Sequence, residues 1–162
     1  MLSLAEVVAA AARIRPFIAR TPLDRSAGLS AACHAPVWLK LECFQSTGSF
    51  KLRGALNALL TLPPDVGQTG VLTVSAGNHG LGVARAAALL GIPATVVVPE
   101  TAAPVKIEAL RQTSAHLVLE GSTYDEAERA GRAMAKQRGL HFVSAYNDPA
   151  VVAGGGTLSE VL

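Results

Sequence analysis

Charge is scarce in this chain: only 16% of its 162 residues are Asp, Glu, Lys or Arg, against roughly 25% in an ordinary domain. Aromatic residues make up 4% and are not interleaved with any basic block, so the stacking platform and electrostatic footprint of a nucleic-acid binder are both missing. Cysteine is limited to Cys33 and Cys43, whose spacing fits neither a metal-ligand pair nor a redox motif. Reduced, half-buried thiols and no metal site are the expectation, in keeping with a cytoplasmic protein. Long apolar runs are absent too. The uncharged stretch from Val66 to Ala84 is broken by Gly67, Gln68, Gly70, Gly77, Asn78 and His79, which excludes a lipid-facing helix. The N-terminal "MLSLAEVVAAAARIRP" has no basic start before its apolar residues and carries Glu6 early, unlike a leader peptide. No membrane contact is expected, and the cytoplasm is the expected compartment.

Half of the residues are hydrophobic, enough for a sizeable core. The N-terminal segment reads as an amphipathic helix, with Ser3 and Glu6 as a capping box, Leu4, Val7, Val8, Ala11 and Ile14 on one face, and Pro16 at its end. After residue 36 strand-like and helix-like segments alternate. Strands are expected at 37–42, 70–75, 94–99, 116–120 and 141–145. Helices are expected at 50–62, stopped by Pro63 and Pro64, at 81–91 with Gly91 just past the end, at about 102–112 with Thr101 as cap and Pro104 in the first turn, and at 122–139 with a Thr123–Glu126 capping box and Gly139 as terminator. Continuous apolar strands separated by helices predict an α/β fold, an open parallel sheet with helices on both faces. "TLSEVL" (157–162) reads as the opening of a further helix, with a capping box from Thr157 to Glu160, that is cut short little more than one turn in.

Ligands of open parallel sheets sit at the carboxyl ends of strands, near helix N-termini. Two loops fit. "SAGNHG" (75–80) joins an apolar strand to a helix, and Ser75, Asn78 and the free backbone N–H groups could hold an anion, although a tight connection explains the glycines equally well. His79 is expected to orient structure or ligand rather than to act as a general base. "STGSF" (46–50) leads into Lys51, which shares a first helical turn with Arg53. That is an unfavourable place for cations, since helix N–H groups there already carry about half a positive charge. A lysine desolvated beside a helix N-terminus and a second cation is favoured as the free amine, the form that Schiff-base or general-base chemistry requires. The bland alternative is a lysine that snorkels to water. "AGGGT" (153–157) could be an anion nest or a flexible hinge. His34, His116 and His141 have no recognisable partners.

Taken together, "WLKLECFQSTGSFKLRGA" followed by "SAGNHGLGVA" resembles the pyridoxal-phosphate (PLP) enzymes of the threonine/serine dehydratase group, within the tryptophan-synthase-β-like fold. "TPL" (21–23), "VVVPETAAPVKIEALR" (96–111), "YDEA" (124–127) and "AGGGT" extend the resemblance, in order, over essentially the whole chain. It implies that Lys51 forms the Schiff base with PLP, that Phe50 packs near the cofactor, and that Asn78 bonds its ring hydroxyl. Ser75, Gly77, Asn78 and His79 would hold the substrate. The implied reaction is β-elimination of water from a hydroxy-amino acid, giving ammonia and a 2-oxo acid, with PLP as electron sink.

Three departures qualify the resemblance. Ala76 stands where the related serine racemases tend to have a proton-donating serine, which favours dehydration over racemisation. Leu81 and Gly155 each replace a common glutamine. The family is also about twice as long, with its phosphate-binding tetraglycine loop and its pyridine-nitrogen partner beyond the last residue here. The expected organisation is therefore a smaller α/β domain at 50–148, with 1–49 and 149–162 as parts of a larger PLP domain. The partners to expect are a small hydroxy-amino-acid substrate and either a second copy of the chain, in a homo-oligomer, or a missing C-terminal half. The alternatives are a non-catalytic or split-gene half, a PLP β-replacement enzyme or racemase, and a phosphate- or nucleotide-binding domain using "SAGNHG". The last leaves "TGSFK" unexplained.

Overall fold

A computed structural model describes residues 2–161, the side chains of 160 and 161 excepted. Helix α1 (Leu4–Ile14) begins with the expected reciprocal Ser3–Glu6 capping box, and a 3-10 turn at Arg15–Phe17 follows it. Strand β1 (Leu23–Arg25), helix α2 (Ala27–Cys33) and strand β2 (Trp38–Lys40) come next. The strand expected at 37–42 does not belong to the parallel sheet. Its central residues form β2, which pairs antiparallel with β1 in a two-stranded ribbon, Asp24 opposite Leu39. The reason is half-burial: Trp38 and Leu39 are exposed, and the run carries Lys40 and Glu42, so it never had two apolar faces to cover. Cys33 and Cys43 are exposed, not half-buried.

The remaining elements are α3 (Lys51–Leu60), α4 (Pro64–Thr69), β3 (Val71–Val74), α5 (Asn78–Leu90), β4 (Ala94–Val98), α6 (Pro104–Arg111), β5 (His116–Leu119), α7 (Tyr124–Arg138), β6 (His141–Phe142) and α8 (Pro149–Gly156). Four strands make the predicted parallel sheet in the order β5-β4-β3-β6. Apolar alternation clothes both faces. Leu72, Val74 and Val97 pack with Ala127 and Ala135 of α7 on one side. Val96 and Val98 pack with Ala84, Ile107 and Leu110 of α5 and α6 on the other. A third cluster gathers Val71 with Leu52 and Leu56 of α3, Val83 of α5, Ile14 of α1 and Val151 of α8. No helix among the described residues is long and apolar enough to cross a membrane.

Caps account for several helix ends. Gly91 and Gly139 close α5 and α7 in the left-handed conformation. One expected cap moves and one expected capping box is rearranged. The Thr101 hydroxyl donates to Ser122 O instead of capping α6, which starts with Pro104 in its first position. Thr123 does cap α7, but the Glu126 carboxylate accepts from Ser122 rather than completing a box with Thr123.

"AGGGT" is neither a nest nor a hinge. Gly154–Gly156 are the last turn of α8, and Thr157, expected to open a helix, closes this one by donating its hydroxyl to Gly154 O at 2.7 Å. A 3-10 turn then runs from Thr157 to Val161, and the expected Glu160 side-chain contact lies outside the described residues. The glycines permit a close crossing of α3 and α8. A Cβ at Gly154 would lie 2.5 Å from Arg53 O, and one at Gly54 would lie 2.7 Å from Val151 O. Asn57 seals the same crossing, donating to Ala150 O at 2.8 Å and accepting from Arg13 of α1.

By contrast, nothing lies within 4 Å of a Cβ at Gly155. Gly154→Val is therefore expected to lower stability by about 2–3 kcal/mol through overpacking, whereas Gly155→Ala should raise it by up to about 1 kcal/mol through helix propensity. Urea-unfolding midpoints check both.

Candidate active site

The strand order places a topological switch point between β3 and β6. The chain leaves β3 towards β4 and β5, then returns to the other side of β3. Ligand crevices of open α/β sheets form outside the carboxyl ends of such a pair. Two loops meet there, Ser75–Gly77 after β3 and Val143–Asp148 after β6. The third contributor, the Ser46–Phe50 loop, arrives with the N-terminus of α3.

Helix α5 begins three residues before the sequence pattern placed it, because Asn78, His79 and Gly80 already form its first turn. Its N-cap is Gly77, which has no side chain to offer, so the first N–H groups lack an internal acceptor. Ser75 Oγ accepts from Gly77 N at 3.2 Å and shapes the approach. Asn78 is exposed at the first helical position, and His79 is 3% exposed at the second.

One turn further on, Gly82 lets α5 pass against the start of α3. A Cβ there would lie 3.1 Å from both the carbonyl carbon and the oxygen of Lys51. Lys51 is the first residue of α3 and is half-buried. Its Nζ donates to Ala145 O at 3.4 Å and lies 5.5 Å from the Phe50 ring centroid and 5.8 Å from that of Tyr146. A cavity of about 210 Å³ adjoins it, lined by Phe50, Gly54, Ala145, Val151, Val152 and Gly155.

Lys51, Phe50, Ser75, Gly77, Asn78 and His79 thus belong to loops that converge on one end of the sheet. Ala145 and Tyr146 were not legible as site residues. Their signal was only their place after a parallel strand, and the position of that strand beside β3 is a tertiary fact. Arg53 corrects the expectation that a second cation acts on Lys51. Its guanidinium turns away and forks onto Glu42, both contacts at 2.8 Å, with the two side chains 4% and 9% exposed. Burial works against the Glu42 charge, but hydrogen bonds from Arg53 and Thr21 and the attraction of Arg53 outweigh it, so the carboxyl titrates below its ordinary range.

Among the described residues, two buried side-chain polar atoms have no hydrogen-bond partner, Ser49 Oγ and His79 Nδ1, one in each glycine-bearing loop. A buried atom of this kind calls for a partner, a bound water or a ligand group among them. The His79 Nε2 atom lies 3.4 Å from Val143 O. A carbonyl can only accept, so Nε2 carries the hydrogen and Nδ1 is bare. Burial, with the nearby Lys51 charge, lowers the His79 pKa to about 4 despite the Val143 contact. The ring is neutral at pH 7, in keeping with an orienting role. Among the described residues no three His, Cys, Asp or Glu side chains group as metal ligands.

Residues 14–161 match the family model described as pyridoxal-phosphate dependent enzyme. The chain belongs to this family. The catabolic L-threonine dehydratase of Staphylococcus aureus (strain USA300) is 43% identical over the whole chain, which covers 47% of that protein. The structure of maize serine racemase superposes with a TM-score of 0.93 at 33% identity, over 98% of this chain and 48% of that one. Threonine deaminase isoform 2 of Solanum lycopersicum gives a TM-score of 0.90 at 34% identity, over 97% of this chain and 43% of that one. The chain spans about half the length of the relatives it matches, and the fold is that of fold type II PLP enzymes.

The donor set fits the aldehyde, ring and ring hydroxyl of PLP. Lys51 offers an amine whose one hydrogen-bond partner among the described residues is a distant carbonyl, Phe50 and Tyr146 offer flat apolar faces, and Asn78 offers an exposed amide.

The His79 ring gives a stability signature independent of any ligand. Its pKa falls from 6.5 unfolded to about 4 folded, so the unfolded chain binds the extra proton between those values and stability drops as pH falls through that window. The loss should reach about 3 kcal/mol by pH 4. The variant His79→Gln, which keeps a donor near Val143 O, should lose that much less between pH 7 and 4, as read from urea unfolding at each pH.

Proposed function

We propose that the chain is the lysine-bearing part of a PLP-dependent ammonia-lyase that eliminates water from a small hydroxy-amino acid, releasing ammonia and a 2-oxo acid. The observation that carries this reading is the convergence of Lys51 Nζ, two aromatic rings and an uncapped helix N-terminus at one switch point. The names threonine dehydratase and threonine deaminase, borne by relatives, support a threonine- or serine-like substrate. In such an enzyme residues 50–148 would form the smaller domain, and 1–49 with 149–162 parts of the larger.

When bound, PLP supplies the electron sink for bond breaking at the substrate α-carbon. Everything else falls to the chain's own groups. Lys51 Nζ is the amine that would hold the cofactor's aldehyde and, once released, take the α-proton. Ala145 O and the rings of Phe50 and Tyr146 keep that amine at the cavity mouth. Asn78 would bond the ring hydroxyl. The N–H groups of the first turn of α5, spaced by Gly77 and aided by the Ser75 hydroxyl, suit the substrate carboxylate. His79, neutral and held to Val143 O, would fix that turn without exchanging protons with substrate.

A racemase is the second reading, favoured by the close superposition on maize serine racemase. It needs a second proton donor at position 76, where the related racemases tend to have a serine. Ala76 offers a methyl group that packs on the Val96–Val98 cluster, which supports elimination instead. Leu81 packs on the same cluster, an apolar use of a position where the family commonly has glutamine.

Visible absorption of the purified 162-residue chain with added PLP tests the proposal. A band that is lost in Lys51→Ala and shifts on adding threonine or serine is expected. The same band in Lys51→Ala would remove Lys51 from the role, and a band indifferent to both amino acids would remove the substrate class.

A further inference from the structure

The Glu42–Arg53 pair stands outside the cavity, yet it closes the loop that carries Lys51. From the 3-10 turn at Glu42–Phe44 the chain runs through Ser46–Phe50 and enters α3 at Lys51. The guanidinium fork joins the two ends of this loop, Nε to one carboxylate oxygen and Nη2 to the other. The same carboxylate accepts from Thr21 Oγ1 at 2.6 Å, Arg53 Nη1 reaches Thr157 Oγ1 at 3.3 Å, and Lys40 Nζ donates to Thr21 O at 2.6 Å. Three separated stretches of chain are thereby tied to one helical turn.

Apart from the long contact of Lys51 Nζ with Ala145 O, no other polar side-chain anchor holds that turn among the described residues. The N-cap of α3 is Phe50, which makes no side-chain cap hydrogen bond. Residues two apart on a helix project about 200° apart around its axis. A fork that holds Arg53 towards Glu42 on one side of α3 therefore turns Lys51 to the opposite side, where the cavity and Ala145 O lie. We propose that the Glu42–Arg53 pair is a positioning element that sets the rotation of the first turn of α3 and so aims the Lys51 amine into the cavity. Buried ion pairs give little stability beyond what apolar residues of like size would give, whereas a planar fork fixes orientation closely. The functional meaning of that aim rests on the PLP reading above; the aim itself does not.

The test uses the cofactor-free 162-residue chain. Limiting isotope-labelled acetic anhydride, followed by mass spectrometry, gives the acetylation rate of Lys51 relative to the exposed Lys106 across pH. The double variant Glu42→Leu/Arg53→Met replaces the pair by apolar groups of similar size. Arg53→Lys keeps the charge and loses the fork. Both should remain folded by circular dichroism, with the Lys51-to-Lys106 ratio changed by about threefold or more, since an amine's reactivity follows its surroundings. A folded variant with the parent ratio would overturn the proposal. So would failure of both variants to fold, which would make the pair a stability element alone. A parent chain that takes up no PLP would sink the PLP reading and leave this test intact.

Discussion

Two cations in the first turn of one helix are an electrostatic conflict, and the buried fork between Arg53 and Glu42 resolves it. Arg53 is neutralised where it lies, 3% exposed, by a carboxylate that Thr21 also holds. Lys51 is left at the cavity with a carbonyl and two rings for company. The N-terminal ribbon, the Ser46–Phe50 loop, α3 and the end of α8 all meet at this pair. Removing one partner would strand a buried charge, which is far costlier than removing both.

The sheet contributes the other half of the arrangement. Its order puts β3 and β6 side by side with their loops facing one crevice, and small residues bring the helices in close. Gly82 lets α5 lie on the backbone of Lys51, and Gly54 with Gly154 lets α3 and α8 cross with their backbones nearly touching. Such contacts leave little freedom for Lys51 to wander. The loops around it keep polar atoms in reserve, at His79 Nδ1 and Ser49 Oγ, where a fully satisfied core would have none.

Much of this was legible in the sequence wherever the cause is local. The Ser3–Glu6 box, the Thr123 cap and the terminating Gly91 and Gly139 follow from neighbours within four residues, and the structure has them. The apolar runs at β3 and β4 announced buried parallel strands. What was not legible depends on distant partners. β2 looked like one more strand of the series until β1 paired with it from the opposite direction. Gly154 of "AGGGT" looked like a loop residue because its reason for being small, the backbone of α3, is about a hundred positions away. Arg53 looked like a neighbour acting on Lys51 until Glu42 was found on it, and Tyr146 had only its place after a strand to mark it before β6 was placed beside β3.

The most direct test of the account is to trap the amine itself. The chain carries four lysines, at positions 40, 51, 106 and 136. Incubation with PLP, reduction with borohydride and peptide mapping by mass spectrometry would show which of them bonds the aldehyde. A single stoichiometric mark on Lys51 is expected, with Lys40, held on Thr21 O, and the exposed Lys106 and Lys136 unmarked. A mark spread over the exposed lysines, or its absence from Lys51, would contradict it.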